Sequence, residues 1–315
     1  MGLTIGVDIG GTKVAGGVVD ESGTVLARAR IETPAHDAEA AEDAIVSVVE
    51  QLRGDHDIEA VGLGAAGFVD ASRSSVYFAP NLPDWHNEPV RDDVSRRVGL
   101  PVVVENDANA AAWGENRFGA GRDETHLVCV TIGTGIGGGI IVDDELYRGR
   151  FGIGGEIGHM QMVADGRLCG CGQRGCWEQY ASGNALVREA RERAAENRGA
   201  AATLLRMGDG TPEMITGKHV TEAARQGDEV ALAAFATLGG WLGQGLADLA
   251  AVLDPGRFVL GGGVSEAGEL VLTPTRDAFQ RLLTGRQVRP VADVVLAELG
   301  NDAGLVGAAD LARRR

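Results

Sequence analysis

The feature that most constrains the fold of this chain is a glycine-turned strand pattern that occurs twice. The sequence V-D-I-G-G-T-K-V-A-G-G-V-V-D begins at Val7, and the similar sequence V-T-I-G-T-G-I-G-G-G-I-I-V-D begins at Val130. In each copy an apolar run leads into a glycine turn and a second apolar run follows, which predicts a β-hairpin. A glycine-rich chain can produce one such match by chance. Two related halves are the simpler interpretation, and 315 residues suffice for two domains.

Strand patterns alternate with helical patterns in both halves, which is typical of an α/β protein. Helical periodicity covers residues 38–52 and 229–253, and the second stretch ends at the stop signal Asp254-Pro-Gly. The segment A-P-N-L-P-D-W at residues 79–85 carries two prolines and predicts a turn around Asn81. We therefore expect an α/β fold of two related domains with a cleft between them.

Composition excludes several classes of function. The formal net charge of −16 argues against nucleic acid or an anionic membrane as the main partner. The 48 glycines lie in short motifs between apolar runs, which predicts tight turns and close approach to ligands. No apolar run approaches the roughly 20 residues of a membrane span, and no signal-peptide pattern follows Met1. With four cysteines, three of them in a spacing typical of metal sites, we expect a cytoplasmic protein without disulfides.

The segment at residues 156–178 concentrates thiol and imidazole groups. Three of the four cysteines, Cys169, Cys171 and Cys176, follow the spacing C-x-C-x4-C, and His159 precedes them. Three Cys and one His form a known closed ligand set for tetrahedral zinc, and glycines allow a short loop to curl around one ion. The alternative is three buried thiols beside an unrelated histidine. The spacing favours a structural zinc site.

The two glycine turns suit a phosphate ligand. Asp8 ends an apolar run ahead of the turn Gly10-Gly11-Thr12-Lys13, and the second half carries the matching turn Gly133-Thr134-Gly135. Backbone N–H groups at such turns bind phosphate, and Mg²⁺ is commonly held by a carboxylate together with substrate phosphates. The spacing is neither a Walker loop nor a dinucleotide fingerprint. Either turn alone is equally typical of an ordinary hairpin, so the pair carries the prediction.

The triplet Glu105-Asn106-Asp107 lies where a predicted strand meets a predicted helix. Asn106 suits an N-cap and Asp107 suits the first turn of a helix. The functional interpretation makes Asp107 a general base that accepts the proton of an attacking hydroxyl in phosphoryl transfer. Glu156 and Glu178 flank the Cys-His loop, where carboxylates accept hydrogen bonds from a polyol or simply face solvent.

Together these motifs resemble the ROK family of sugar kinases, repressors and related proteins. The resemblance covers nearly the whole chain and is greatest to the glucokinases of actinobacteria. It implies the actin-like ATPase (ribonuclease H-like) sugar kinase fold, with two α/β domains around a central cleft. We expect residues 1–118 and a C-terminal helix at 301–315 to form the smaller domain. Residues 119–300 would then form the larger domain with the zinc loop.

The resemblance also implies roles for individual residues, with ATP and Mg²⁺ as donor and glucose as acceptor at its 6-hydroxyl. Donor phosphates would contact the two glycine turns and Asp8, and the adenosine would lie near Gly261, Gly262 and Gly263. The sugar would be held by Asn81, Asn106, Asp107, Glu156, His159 and Glu178, with Asp107 as the base. Zinc would be held by His159, Cys169, Cys171 and Cys176. His159 would then bind zinc with one ring nitrogen and a sugar hydroxyl with the other.

Several alternatives stay open at this level. Within the family, one alternative is a different acceptor, a hexose such as N-acetylmannosamine or fructose. A second alternative is a different donor, inorganic polyphosphate. A non-catalytic sugar sensor is expected to lack Asp107 or a phosphate turn, and a filament-forming actin relative has no need of the Cys-His loop. A repressor of the family carries a DNA-binding segment ahead of the first glycine turn, whereas here the first strand pattern begins at Leu3. We expect a homodimer or homotetramer, for which the long apolar pattern in the second half offers an interface.

Overall fold

A computed structural model describes residues 2–54 and 56–314 of the chain. The chain forms two compact units. The first consists of Met1–Cys129, Gly138–Gly155 and Glu298–Arg315, and the second consists of Val130–Gly137 and Glu156–Ala297.

Strands and helices alternate as the sequence predicts. The strands are β1 (Leu3–Ile9), β2 (Lys13–Val19), β3 (Val25–Glu32), β4 (Ile58–Ala65), β5 (Phe68–Val69), β6 (Val76–Ala79), β7 (Leu82–Glu88), β8 (Val102–Asn106), β9 (Leu127–Ile132), β10 (Ile136–Val142), β11 (Glu145–Tyr147), β12 (Arg257–Gly261) and β13 (Asp293–Leu296). The helices are α1 (Ala38–Arg53), α2 (Val90–Val98), α3 (Asp107–Phe118), α4 (Glu178–Ala181), α5 (Gly183–Glu196), α6 (Ala202–Met207), α7 (Gly217–Arg225), α8 (Glu229–Leu253), α9 (Glu269–Leu282) and α10 (Ala303–Arg313).

The first unit contains a five-stranded sheet with the order β3-β2-β1-β4-β8. Strands β1, β4 and β8 are parallel to one another, and Ala65 of β4 pairs with both Ile9 of β1 and Asn106 of β8. The carboxyl ends of these three strands therefore meet at one edge of the sheet. That edge carries Asp8 and the Asn106-Asp107 pair, the usual position for a ligand in an α/β protein.

Two further sheets complete the strand pairing. One has five strands in the order β11-β10-β9-β12-β13, and its strands β9 and β10 contribute residues to both units. The other has three strands in the order β5-β6-β7 and was not predicted. The turn predicted for residues 79–85 is confined to Pro80 and Asn81, because β7 begins at Leu82. Pro83 argues against a central strand, but β7 is an edge strand, where proline is tolerated.

Helix α10 packs unusually close to the sheet of the first unit. A Cβ atom added at Gly6 would lie 1.9 Å from the carbonyl oxygen of Leu305, and one at Gly62 would lie 1.8 Å from that of Ala308. These glycines of β1 and β4 therefore permit backbone contact between sheet and helix. The C-terminal helix belongs to the first unit for this reason.

The bounds of the two compact units differ from those of the domains predicted from sequence. The prediction put all of residues 119–300 in the larger domain, whereas residues 138–155 belong to the first unit. Residues 138–155 pack with the first unit: a Cβ atom at Gly139 would lie 2.3 Å from the Cβ of Ala112. Arg148 donates hydrogen bonds to the carbonyls of Asp70 and Ala71 in the same unit. The sequence pattern of a hairpin does not reveal which neighbour its far end contacts.

Helix α8 corrects the expectation that no apolar run approaches the length of a membrane span. It has 25 residues, and its most apolar 18-residue window has a mean hydropathy of 1.4. Most of that window, 61 %, is buried. Added Cβ atoms at Gly239 and Gly243 would lie 2.6 Å from Pro274 and 2.4 Å from Ala278 of α9. Close packing against α9 accounts for the apolar, glycine-containing sequence of α8.

Candidate active site

The first glycine turn joins β1 to β2 and is fixed by hydrogen bonds. The amide of Gly10 donates to the carbonyl of Lys13 at 3.0 Å, and the Thr33 hydroxyl donates to the carbonyl of Gly10 at 2.7 Å. Thr12 and Lys13 are exposed at the tip of the turn. A rigid, exposed glycine turn with a lysine at its end suits an anionic ligand such as a phosphate.

Asn81 lies against this turn. A Cβ atom added at Gly11 would lie 2.9 Å from the Cβ of Asn81, so the absence of a side chain at position 11 makes room for Asn81. The sequence alone identified Asn81 only as a turn residue, and its role came from the resemblance. The structure places it at the tip of the β6–β7 hairpin, next to the first glycine turn.

Asn106 forms the N-cap of α3. Its side-chain oxygen accepts hydrogen bonds from the amides of Ala108 and Asn109, both at 3.0 Å, and its side-chain nitrogen donates to the carbonyl of Gly67 at 3.0 Å. The N-cap predicted at Asn106 is therefore confirmed. A capped helix start holds Asp107, the first residue of α3, in a defined position.

Asp8 and Asp107 lie close enough for their charges to interact. Burial raises the pKa of Asp107 above its ordinary value, whereas a hydrogen bond from the Ala108 amide acts in the opposite direction. Burial and then the charge of Asp107 raise the pKa of Asp8 to about 6, against the lowering effect of Lys13. A carboxylate with a raised pKa is a stronger proton acceptor, and two neighbouring carboxylates form a site that a divalent cation would stabilise.

The second glycine turn lies in the second unit, between β9 and β10. The amide of Gly133 donates to the carbonyl of Gly135 at 3.0 Å, and the amide of Gly183 donates to the carbonyl of Gly133 at 2.8 Å. A Cβ atom at Gly135 would lie 2.4 Å from Oε2 of Glu178. The turn and the carboxylate of Glu178 are therefore direct neighbours, as the sequence did not show.

The third glycine segment, Gly261–Gly263, begins at the last residue of β12 and lies beside the end of β9. Gly262 has a positive φ of 80°, and a Cβ atom there would lie 2.7 Å from the backbone of Ile132. The amide of Val264 donates to the carbonyl of Ile132 at 3.0 Å. Two of the glycine segments predicted to contact the nucleotide are thus adjacent within one unit.

The Cys-His loop brings its four predicted ligands together. One ligand atom from each of His159, Cys169, Cys171 and Cys176 lies within 4.8 Å of all the others. Gly172 and Gly175 have positive φ angles of 88° and 78°, which allow the reversals that the loop requires. All four cysteines of the chain are free thiols.

The spacing of these atoms fits a tetrahedral zinc ion. Two sulfurs each about 2.3 Å from zinc are about 3.8 Å apart, and a sulfur and a nitrogen ligand are about 3.6 Å apart. The Cys171 and Cys176 sulfurs are 3.7 Å apart, and the Cys169 sulfur lies 3.7 Å from Nδ1 of His159. Three buried thiols beside an unrelated histidine would not require this geometry.

Glu178 and His159 lie at the border of this loop. The Cys169 thiol donates to Oε1 of Glu178 at 2.9 Å, and Nδ1 of His159 lies 4.0 Å from the same oxygen. Burial, and after it the contact with Glu178, raises the pKa of Cys169 to about 12. Because Nδ1 of His159 faces the sulfurs, Nε2 is the ring nitrogen available to a second ligand. Glu156 is exposed, and its carbonyl accepts a hydrogen bond from the His159 amide at 3.1 Å.

Glu105, which precedes the Asn106-Asp107 pair, and its partner Arg148 had no role predicted from the sequence. Glu105 is buried with only 1 % of its surface exposed, and Arg148 lies 2.8 Å from its carboxylate. The signal for Glu105 was present, since a carboxylate at the end of the apolar run V-V-V-E requires a partner. No sequence pattern indicated a role for Arg148, because it is distant from Glu105 along the chain.

Comparison with known proteins agrees with these motifs. The glucokinase of Streptomyces coelicolor is 59 % identical over 99 % of this chain and 98 % of its own length. The glucokinase of Thermotoga maritima is 38 % identical over 99 % of this chain and 97 % of its own length. The crystal structure of a ROK family glucokinase from Streptomyces griseus, in complex with glucose and AMPPNP, covers 100 % of both chains at 59 % identity with a TM-score of 0.91.

The fold is therefore that of the ROK sugar kinases, of the actin-like ATPase type, as predicted. The ROK family model matches residues 4–315. On this match and on the full-length relatives, the chain belongs to the ROK family.

Proposed function

We propose that this protein is a glucokinase, which transfers the γ-phosphate of ATP to the 6-hydroxyl of glucose and releases glucose 6-phosphate and ADP. The observation that carries the proposal is the full-length match with a glucokinase crystallised with glucose and an ATP analogue. Within each unit, the motifs that this activity needs lie together rather than scattered over the surface.

In the first unit, Asp107 is the proposed general base. It accepts the proton of the glucose 6-hydroxyl while the oxygen attacks the γ-phosphorus, and the bond from that phosphorus to the ADP oxygen breaks. Its raised pKa makes it a stronger base than an ordinary aspartate. The N-cap at Asn106 fixes the direction of Asp107, and Asn81 and Asn106 are the proposed sugar ligands of this unit.

Asp8 and the turn Gly10–Lys13 are the proposed binding site for the donor phosphates and Mg²⁺. Asp8 and Asp107 raise the local negative charge, and a divalent cation at Asp8 would offset it. When bound, Mg²⁺ neutralises charge that develops on the transferred phosphoryl group. Lys13, exposed at the tip of the turn, adds a positive charge toward the same anion.

In the second unit, Gly133–Gly135 and Gly261–Gly263 are the proposed nucleotide contacts. Glu156, His159 and Glu178 are the proposed sugar ligands. Zinc held by His159 and the three cysteines would fix the orientation of the imidazole through Nδ1, and Nε2 would then donate to a sugar hydroxyl. The metal supplies no chemistry to the phosphate.

The first experiment tests Asp107. We expect Asp107→Ala to lose phosphorylation of glucose by a factor of about 10² or more, with glucose binding still detectable by calorimetry. The exposed carboxylate of Asp92, on α2, provides a matched control, and Asp92→Asn should keep full turnover. Normal turnover by Asp107→Ala would exclude this residue as the base.

The second experiment tests the link between zinc and sugar binding. Cys171→Ala removes one of the four ligands, so we expect loss of zinc by elemental analysis together with weaker glucose binding. Gly170→Ala is the matched control, because an added Cβ atom there contacts nothing within 4 Å. Tight glucose binding by a metal-free variant would contradict the proposed role of zinc.

A substrate panel decides among the activities that the family allows. Glucose, N-acetylmannosamine and fructose are each assayed with ATP and with polyphosphate. We expect glucose with ATP to give the highest kcat/KM, since the net charge of −16 disfavours a long polyanion. A sugar sensor would bind glucose and show no turnover with either donor.

We also propose a cytoplasmic homodimer or homotetramer. This rests on the family resemblance more than on α8, because 61 % of the most apolar window of α8 is already buried. Of its large apolar side chains, Leu232 and Val252 stay exposed. Light scattering on the purified protein measures the oligomeric state directly.

A further inference from the structure

Glu105 is a buried carboxylate at the centre of a hydrogen-bonded network beside Asp107. Its Oε1 accepts hydrogen bonds from the Asn106 amide at 2.9 Å and from the Asn109 side chain at 3.1 Å. Its Oε2 accepts a hydrogen bond from Nε of Arg73 at 2.9 Å. The residue immediately before the Asn106-Asp107 pair therefore has both oxygens engaged.

Arg148 is the second buried charge of this network. Its Nε lies 2.8 Å from Oε2 of Glu105, and its side chain is only 10 % exposed. Its two terminal nitrogens donate to the carbonyls of Ala71 and Asp70, both at 3.0 Å. Arg148 thereby ties the segment at residues 148–155 to β8 and to the loop that follows β5.

The segment that Arg148 holds is itself tightly packed. The amide of Gly154 donates to the carbonyl of Arg148 at 2.9 Å, which closes a turn. A Cβ atom at Gly152 would lie 2.5 Å from the carbonyl of Val69. The next residue in the chain after this segment is Glu156, a proposed sugar ligand.

A buried charge without a partner lowers stability. When both partners of a buried ion pair also make hydrogen bonds to the backbone, the neighbouring backbone is held in a single conformation. Arg73 donates a hydrogen bond to the same carboxylate from a side chain that is 31 % exposed, whereas the more buried Arg148 contacts it as an ion pair whose Nε makes no hydrogen bond. The bidentate donation by Arg148 to two adjacent carbonyls needs a guanidinium, which lysine does not provide.

We propose that Glu105 and Arg148 are positioning residues of the active site. Their ion pair links the backbone of Asn106-Asp107 to the segment at residues 148–155 within the first unit. Glu105→Gln and Arg148→Lys each disturb this link, and each leaves every proposed substrate ligand in place. This inference rests on the proposed glucokinase activity.

The experiment compares Glu105→Gln, Arg148→Lys and the double variant in the full-length protein with zinc. We expect each single variant to lower kcat for glucose at least about tenfold, toward the roughly 10²-fold loss that a 1 Å misplacement can cause. We expect KM for ATP to stay unchanged. The double variant should lose little more than the worse single variant, because both changes break one interaction.

The matched control is Glu298→Gln, which breaks the ion pair with Arg122 in the same unit, where both side chains are more than half exposed (55 % and 56 %). It should keep full activity.

A merely structural role for Glu105 would lower the melting temperature and leave kcat normal in the folded protein at low temperature, and that result overturns the proposal. Where Glu105→Gln does not fold, Arg148→Lys decides by the same criterion. If the wild-type protein does not phosphorylate glucose, the proposed function fails instead.

Discussion

Three carboxylates from separate elements make the stability of the first unit depend on pH. Glu42 of α1, Glu88 at the end of β7 and Asp93 of α2 have oxygens within 4.8 Å of one another. Glu42 is 8 % exposed, and its Oε1 has no hydrogen-bond partner among the described residues. Burial, followed by the charges of Asp93 and Glu88, raises the pKa of Glu42 to about 7, while Arg97 acts in the opposite direction and Asp43 adds to the rise.

The sign and size of the effect follow from this pKa. Between an ordinary value of 4.5 and about 7, the folded protein keeps a proton that the unfolded chain releases. The free energy of unfolding therefore falls as the pH rises through this range, and the difference corresponds to about 3 kcal/mol. The loss is complete near pH 8. Because Nη1 of Arg97 is 3.8 Å from the carboxylate, its charge offsets only part of this cost.

The substitution Glu42→Gln removes the titration and keeps the shape of the side chain. We expect the difference in unfolding free energy between variant and wild type to grow by about 2.5 kcal/mol from pH 5 to pH 8 in favour of the variant, measured by urea unfolding. EDTA is included, because three clustered carboxylates bind divalent cations and a bound ion would stabilise the charged form. Asp92→Asn, an exposed change on α2, is the control. An equal difference between variant and wild type at both pH values would refute the reasoning.

Two glycines give further predictions. Gly135→Ala places a Cβ atom 2.4 Å from the Glu178 carboxylate, so we expect KM for glucose to rise at least about tenfold without loss of fold. Gly62→Ala places a Cβ atom 1.8 Å from the Ala308 carbonyl, and we expect urea unfolding to show a loss of about 3 kcal/mol or more. Gly240→Ala, where nothing lies within 4 Å, is the control for both and should stabilise α8 slightly.

The sequence predicted the regular elements well where end signals were clear. Helix α8 has the predicted bounds, because Asp228 accepts hydrogen bonds from two amides of its first turn and Asp254 ends it in the left-handed region. The hairpin at β6 and β7 was missed because two prolines resemble a loop in sequence. Only the sheet order shows that Pro83 lies on an edge strand.

The candidate site was predictable where its residues are close in sequence. The spacing of the three cysteines implied one tetrahedral cluster, and the structure brings their sulfurs and His159 within ligand distance. The ion pair of Glu105 with Arg148 joins residues more than a strand and a helix apart, so no spacing rule reveals it. The same holds for the carboxylate cluster at Glu42, which three separate elements contribute.

Some glycines allow close packing between helices, in addition to the ligand-binding turns that the high glycine content suggested. Gly307 of α10 lies so close to α3 that an added Cβ atom would be 1.8 Å from the carbonyl of Ala110. Because α3 begins at Asp107, its axis is set by this contact as well as by the N-cap at Asn106. Glu115, fully buried further along α3, accepts the amides of Glu298 and Leu299 at 3.1 and 2.8 Å. The position of the proposed base therefore depends on backbone packing against the end of the chain, and not only on residues beside it.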